Sequence, residues 1–133
     1  MIEFDLWKDK PNNIINENLL SSIAEEIAKK IYKEAQSGTN KPNQIRKFYD
    51  EILHFHTKIK ADPAKFSALL PYIKMLNSKV AYAHGRGLIG NEFKDFINKG
   101  IQKIKDQKDF EVFVNLFEAF LGYYYPLSKS IRG

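Results

Sequence analysis

The chain has 133 residues, of which 44% are hydrophobic and 28% charged, and this composition predicts one globular domain that buries a core without disulfides. It has no cysteine, which excludes thiolate zinc sites and cysteine nucleophiles. No apolar run approaches the ~20 residues of a membrane span, and the N-terminus carries acids where a basic leader would stand, so we expect a cytoplasmic protein. The formal net charge of +5 favours an anionic partner, and the basic excess lies downstream of residue 37.

The first part of the chain is predicted to be an irregular or extended arm followed by a helix. Pro11 and the neighbouring asparagines interrupt any pattern in residues 1–16, where Trp7 is expected to pack its ring onto the body. A helix is predicted over residues 17–36 with Asn16 as its N-cap, and Ser37-Gly38 ends it. Its apolar stripe consists of Leu19, Leu20, Ile23, Ala24, Ile27 and Ile31. We find no convincing strand–turn–strand pattern in the chain.

Prolines mark the next predicted helices. One helix begins near Lys41-Pro42, where proline suits the first turn. Its inner face carries Ile45, Phe48, Tyr49, Ile52, His56 and Ile59. Asp62 is predicted to cap a short helix that starts at Pro63 and ends near Leu70. Pro71 is predicted to break or kink the chain, because it lacks an N–H group and clashes with the preceding turn. The following helix covers about residues 72–85.

Two further helices complete the predicted fold. Asn91 is expected to cap a helix with the inner residues Phe93, Phe96, Ile97, Ile101 and Ile104. The last helix, at roughly 109–125, is apolar nearly all round, so it lies in the core or under a partner. Pro126 is predicted to stop it and to leave residues 126–133 as a mobile basic tail. The prediction is therefore an all-α, compact bundle of about five to six helices, forming a single domain over residues 1–133.

The sequence contains no recognisable catalytic constellation. The glycines at 85, 87 and 90 lack the Lys-Ser/Thr pair of a phosphate-binding loop, and no G-x-S-x-G elbow occurs. His54 and His56 point to opposite sides of one helix and cannot hold one metal, while His56 and His84 fall on apolar faces as structural histidines do. We therefore predict no catalytic residue, metal, cofactor or small-molecule substrate. A small metal-independent ribonuclease that uses His84 and Arg86 is the enzyme alternative.

The segment KVAYAHGRG, residues 79–87, is the most informative part of the chain. Read as a helix, it places Lys79, Tyr82 and Arg86 on one stripe, opposite to Ile73, Leu76, Val80 and Ala83. The stripe is roughly 10 Å long at 1.5 Å per residue, so it could reach a few phosphates of an RNA backbone. A solvated helix face is the plainer interpretation, because basic faces are common in a lysine-rich chain.

A second basic-aromatic cluster is QIRKFYDE, residues 44–51. Arg46 lies at the border of the apolar face, where it can be held rigid and can bind phosphate through its forked guanidinium group. Lys47 points outward, and Lys41 lies one to two turns earlier. In the plainer interpretation, the cluster is the start of an ordinary amphipathic helix, and Asp50 and Glu51 offset its positive charge.

In this order and spacing, QIRKFYDE, KVAYAHGRG and the terminal helix FVNLFEAFLGYYY resemble the small subunit of type III-A CRISPR–Cas effector (Csm) complexes. The resemblance covers about residues 40–125. It implies a non-catalytic helical bundle for antiviral defence, which assembles with other Csm subunits. Copies of it would stack along the crRNA-bearing backbone and help hold the guide–target RNA duplex, with contacts to crRNA, to target RNA or to both.

The resemblance also implies which residues contact RNA. Carried over residue by residue, the basic positions of the family fall on Arg46, Lys47, Lys79 and Arg86. We add Tyr82 because helix geometry places it on the same stripe as Lys79 and Arg86. We add Lys41 and Lys74 because they are basic and lie near these motifs. Two other interpretations stay open: the small subunit of the related type III-B (Cmr) complex, and a helical protein-interaction module for an acidic partner.

Overall fold

The computed structural model describes residues 2–35 and 37–131. These residues form six α-helices and one small hairpin. The helices are Ala24–Ala35 (α1), Pro42–Ala61 (α2), Phe66–Lys74 (α3), Leu76–Gly85 (α4), Asn91–Gln102 (α5) and Gln107–Leu127 (α6). The strands are Trp7–Asp9 (β1) and Ile14–Ile15 (β2). The predicted all-α class is confirmed, and no helix in the described part of the chain is long and apolar enough to cross a membrane.

The last helix, α6, forms the centre of the core, as its apolar sequence predicts. It packs against α1 and α2, and its Phe113, Phe117 and Phe120 are fully buried. On α5, Phe96 approaches all three of these rings, with centroid separations of 5.2–5.7 Å. Such tilted aromatic contacts add to the free energy of burial. The helices that carry the predicted contact residues therefore pack around a core of buried aromatic rings.

The N-terminal arm is more ordered than the sequence predicts. Ile2, Phe4 and Leu6 are buried at alternate positions of an extended segment, which is the period of a strand. Strands β1 and β2 then pair antiparallel, a hairpin that sequence analysis missed because its strands have only three and two residues. Trp7 packs against the core as predicted, and its indole Nε1 donates to Asp109 Oδ1 at 2.7 Å.

The predicted start of the first helix is wrong by several residues. A π-helical turn, Leu19–Ile23, precedes α1, and Asn16 does not cap it. Asn16 Oδ1 accepts from the Asn18 amide at 3.2 Å, just before the π-helical turn. The residue also binds the arm, because its backbone N–H donates to the Leu6 carbonyl and its side-chain amide to the Asp5 carbonyl. Leu20, which the sequence places on the apolar stripe, is 37% exposed. The predicted last residue of this helix, Gln36, lies outside the described residues.

Two predicted helix stops at proline are also wrong. Pro71 lies inside α3, and the chain turns only at Met75. Both Pro71 and Ser67, whose carbonyl loses its helical partner, are exposed, so water can satisfy that carbonyl. Pro126 likewise lies in the last turn of α6, which ends at Leu127. The mobility of residues 126–133 stays a prediction, and residues 132 and 133 lie outside the described part.

The caps of the helices are partly as predicted. Asp62 Oδ1 accepts from the Ala64 amide at 3.2 Å, as expected for a cap before Pro63. Asn91, however, is the first residue of α5 and does not cap it. The carboxylate of Glu34 on α1 accepts from the backbone amides of Asn91 and Glu92 at 3.1 and 2.5 Å. A carboxylate suits the positive end of the helix better than an amide does.

Candidate nucleic-acid interface

The stripe predicted from KVAYAHGRG lies on the exposed side of α4. Lys79, Tyr82 and Arg86 are exposed, while Leu76, Val80 and Ala83 are buried because α4 packs against α5. Ile73 is also buried but belongs to α3. Tyr82 is 67% exposed, and the Arg86 guanidinium carbon lies 5.8 Å from the centroid of its ring. A cation and an aromatic side chain thus share the outer end of this helix.

Lys79 is not a free cation. Its Nζ forms an ion pair with Glu51 Oε1, which links α4 to α2. The Lys79 side chain is nevertheless 44% exposed. Exposed pairs of this kind contribute about 0–1 kcal/mol to stability, so a phosphate could replace the carboxylate at small cost. Sequence analysis expected Glu51 to offset charge only within its own cluster, because no local pattern relates residues 28 positions apart.

Arg46 lies at the junction of α2 and α6. Its Nε donates to Asp50 Oδ1 and its Nη1 to the Tyr125 hydroxyl, both at 3.2 Å. The hydrogen bond that Arg46 donates to Tyr125, and then the one it donates to Asp50, raise the pKa of Arg46 further above its already high value. The side chain is therefore charged and held in one position, with about half of its surface exposed. Tyr125 is a partner that the sequence did not indicate.

The remaining predicted contact residues are exposed lysines. No ion-pair or hydrogen-bond partner occurs among the described residues for the side chains of Lys41, Lys47 and Lys74. Lys47 lies one helical turn before Glu51 on the same side of α2, which places it beside the Glu51–Lys79 pair. Lys41 precedes the first turn of α2, and Lys74 lies in the last turn of α3.

The structure brings some of these residues together and separates others. Lys47 and the α4 stripe lie on one flank of α2, where Glu51 joins them. Arg46 lies on the other flank, where Tyr125 of α6 contacts it. No described contact connects Arg46 to the α4 stripe. The two motifs therefore form two neighbouring basic areas on either side of α2.

The segment that contains α3 and α4 carries only positive charge. Residues 63–91 include no aspartate or glutamate, but they include Lys65, Lys74, Lys79 and Arg86. The amino-acid sequence alone contains this signal, although the predicted interface did not rest on it. The same segment holds Tyr72 and Met75, which are 56% and 45% exposed and were also missed.

The lysines of α5 have a different role. Lys99 contacts Glu3, Asp95 and the Ile2 carbonyl, and its side chain is only 19% exposed. Lys103 lies 3.9 Å from Asp5, and its Nζ lies 5.5 Å from the centroid of Phe4. These cations bind the N-terminal arm to the body, so this part of the basic excess stabilises the fold.

The histidines occupy positions typical of structural residues. His54 is exposed, and the half-buried His56 ring lies 6.2 Å from Phe110 between centroids. His84 Nε2 and Asn91 Oδ1 are 2.7 Å apart, in hydrogen-bonding contact. Within residues 2–35 and 37–131, no three His, Asp or Glu side chains come together in a way that could hold a metal ion. The structure thus gives His56 a packing role and His84 a hydrogen-bonding role.

Fold and surface together define a small helical bundle with a cationic, partly aromatic face. The family model described as Csm2 Type III-A matches residues 15–129. The chain therefore belongs to the Csm2 family, the small subunit of type III-A CRISPR–Cas complexes, and it associates with other Csm subunits. This confirms the resemblance to the type III-A family. No curated protein and no solved structure matches the chain.

Proposed function

We propose that this protein is a non-catalytic subunit that holds crRNA and target RNA by the phosphate backbone within a cytoplasmic type III-A complex. In this proposal several copies stack along the crRNA-bearing backbone. The observation that carries the proposal is the exposed row of Lys79, Tyr82 and Arg86 on a segment without acids. Membership of the Csm2 family supports it, because the family assembles with the other subunits of an RNA-guided complex.

The chemistry of this surface suits backbone contact. The guanidinium group of Arg86 can make two parallel hydrogen bonds to a phosphate, and Lys79 can exchange Glu51 for a phosphate oxygen. Lys47 adds a second lysine beside this pair. Contacts of this kind fix the position of an RNA strand without selecting its sequence, which base pairing with the guide supplies.

Charge reversal tests the proposal. We expect Lys79→Glu with Arg86→Glu to weaken RNA binding strongly while the melting temperature stays near that of the wild type, because both side chains are exposed. Each lost phosphate contact should also reduce the salt slope, d log K/d log[salt], by about 0.7 for single strands. Fluorescence anisotropy with labelled RNA over a series of salt concentrations measures both quantities.

A matched control separates this surface from net charge alone. Lys29 forms an exposed ion pair with Glu25, as Lys79 does with Glu51, and Lys8 is exposed without such a pair. The variant with Lys8→Glu and Lys29→Glu therefore changes the net charge equally, away from α4. An equal loss of affinity in both variants, or none in either, contradicts the proposed interface.

The enzyme alternative makes a distinct prediction. A ribonuclease that used His84 and Arg86 would cleave RNA in the presence of EDTA and would lose this activity in His84→Ala. The hydrogen bond between His84 and Asn91 gives the histidine a structural partner instead. We expect the purified chain to leave labelled RNA intact, and cleavage that depends on His84 would overturn the non-catalytic role.

A further inference from the structure

The exposed apolar side chains of this protein are concentrated on one face. Large hydrophobic residues exposed in the described part are Ile14, Leu20, Tyr72, Met75 and Tyr82. Two of these five, Tyr72 and Tyr82, lie on α3 and α4, and Met75 lies in the turn between these helices. Most other aromatic side chains of the chain are buried or half-buried. The exposure of two tyrosines and a methionine on one face does not contribute to the core, and exposed patches of this kind are typical of interaction sites.

These side chains form one continuous row with the cations of α4. The order is Tyr72, Met75, Lys79, Tyr82 and Arg86, with alternating spacings of three and four residues, so all five share one side of a helix. The row continues through the turn at Met75. The Met75 amide donates to the Pro71 carbonyl at 3.0 Å, and the Lys79 amide donates to the Met75 carbonyl at 3.3 Å. We call this row the α3–α4 face.

The charge around the α3–α4 face identifies the kind of partner. Every ionised side chain within residues 63–91 is basic, and Lys74 and Arg86 have no carboxylate partner among the described residues. The acid that reaches this face is Glu51, which already pairs with Lys79. A partner that satisfies this surface must bring several negative charges and flat or apolar groups together. Single-stranded RNA has both, since its phosphates alternate with bases whose faces are free.

We propose that the α3–α4 face binds single-stranded RNA, with unpaired bases stacking on Tyr72 and Tyr82 while Lys74, Lys79 and Arg86 contact the phosphates. Tyr82 keeps 67% of its surface exposed despite the nearby guanidinium of Arg86, so a base can reach its ring. Met75 supplies apolar surface between the two tyrosines. The inference rests on the proposed function and narrows it, because bases stacked inside a duplex cannot offer their faces to these rings.

Ring removal tests this inference on the full-length chain. Tyr72→Leu with Tyr82→Leu should weaken binding of a mixed-sequence, labelled single-stranded RNA by about tenfold per tyrosine, as expected for the loss of one stacked base each. Tyr72→Phe with Tyr82→Phe keeps the rings and should bind nearly as the wild type does. Leu20→Ala, which removes an exposed apolar side chain elsewhere, is the second control.

Two further RNA probes separate stacking from backbone contact. The wild type should prefer the single strand to the same strand annealed to its complement. It should also lose affinity for a strand of equal length with abasic positions. The leucine variants should show neither difference, and their salt slope should equal that of the wild type because no cation is removed.

The outcomes distinguish the inference from the proposed function. If the leucine variants bind RNA as the wild type does while Lys79→Glu with Arg86→Glu does not, stacking is wrong and backbone contact stands. If the leucine variants retain RNA but lose another Csm subunit, the face binds protein and the inference is overturned. If the wild type binds no RNA at low salt, both proposals fail.

Discussion

At the scale of single residues, Asn40 joins three parts of the fold at one buried position. Its side-chain Nδ2 donates to the Ile31 carbonyl at 3.0 Å, and its Oδ1 accepts from the Gly90 amide at 2.8 Å. Its carbonyl accepts from the Tyr124 hydroxyl at 2.5 Å. The residue is fully buried and has φ of 58°, a conformation that asparagine tolerates better than most residues.

Replacement of Asn40 should therefore destabilise the protein strongly. We expect Asn40→Ala to cost about 2–5 kcal/mol, because it leaves a buried carbonyl and a buried amide without partners and strains the backbone. Asn40→Gly loses the same hydrogen bonds but accepts the positive φ, so it should be about 1 kcal/mol less destabilised than the alanine variant. Urea unfolding measures both, and equal stability of wild type and Asn40→Ala would refute this role.

Asp109 is a buried carboxylate that connects the N-terminal arm to α6. It accepts from Trp7 Nε1 at 2.7 Å, from the Lys105 amide at 2.9 Å and from Lys10 Nζ at 3.0 Å. Burial is the strongest single influence and acts to raise the pKa of Asp109. The hydrogen bonds from Trp7, Lys105 and Lys10 together outweigh it, so the pKa lies below the ordinary value of 3.8.

A depressed pKa makes the contribution of Asp109 to stability depend on pH. The stabilisation is complete above the unfolded-state pKa near 3.8 and is lost as pH falls through the lower folded-state pKa. We expect Asp109→Asn to lose about 2 kcal/mol at neutral pH, where it weakens charge-assisted hydrogen bonds. The free energy of unfolding of this variant should fall less steeply than that of the wild type as the pH drops below 3.8.

Trp7→Phe provides the companion measurement for Asp109. It keeps an aromatic ring in the arm but removes one donor to the carboxylate, so the folded-state pKa of Asp109 should lie closer to 3.8 than in the wild type. The acid loss of stability should then be smaller than in the wild type and be complete at a higher pH. Unfolding curves for all three proteins over a pH series give the comparison. Identical pH profiles for wild type and Asp109→Asn would show that this carboxylate does not control acid stability.

At the scale of the elements, α5 and α6 approach closely at Gly100. A Cβ atom there would lie 2.0 Å from Phe113 Cε1, and Phe113 is fully buried, so its ring has little room to move. Gly122 on α6 differs, because a Cβ atom there would meet nothing within 4 Å. Both glycines lie within helices, but packing requires a residue without a Cβ atom only at Gly100.

Alanine at these two glycines should have opposite effects on stability. Gly100→Ala should destabilise the protein by about 1–3 kcal/mol, because overpacking outweighs the better helix propensity of alanine. Gly122→Ala should stabilise it by about 0.5–1 kcal/mol, since propensity alone acts there. Thermal unfolding decides between them, and a stabilising Gly100→Ala would mean that α5 and α6 can separate without cost.

Sequence periodicity predicted helix faces better than helix ends. The buried and exposed sides of α4 follow from a period of 3.6, because a residue's place on that helix decides its burial. Pro71 and Asn91 misled us, since the outcome at each depends on distant structure. Pro71 stays in α3 because its turn of the helix faces water. Asn91 does not cap α5, because the carboxylate of Glu34, which is remote in sequence, binds the first amides of that helix.

At the scale of the whole molecule, charge pairing separates two uses of the basic excess. Local pattern predicted that Lys79 and Arg86 lie on an exposed stripe, but it could not predict that Glu51 pairs with Lys79 or that Glu3 and Asp5 bind the α5 lysines. Those pairs join residues far apart in the chain. Once they are assigned, the α3–α4 segment differs from the rest of the surface because it carries four cations and no acid of its own.

Native mass spectrometry of the affinity-tagged protein, purified from its own host, tests the central claim most directly. We predict an assembly that contains other Csm subunits, an RNA of a few tens of nucleotides, and more than one copy of this chain, and we predict that Lys79→Glu with Arg86→Glu lowers its RNA content or copy number. Recovery of the wild-type chain with Csm subunits but no RNA, or in a single copy per assembly, would contradict a stacked RNA-holding subunit.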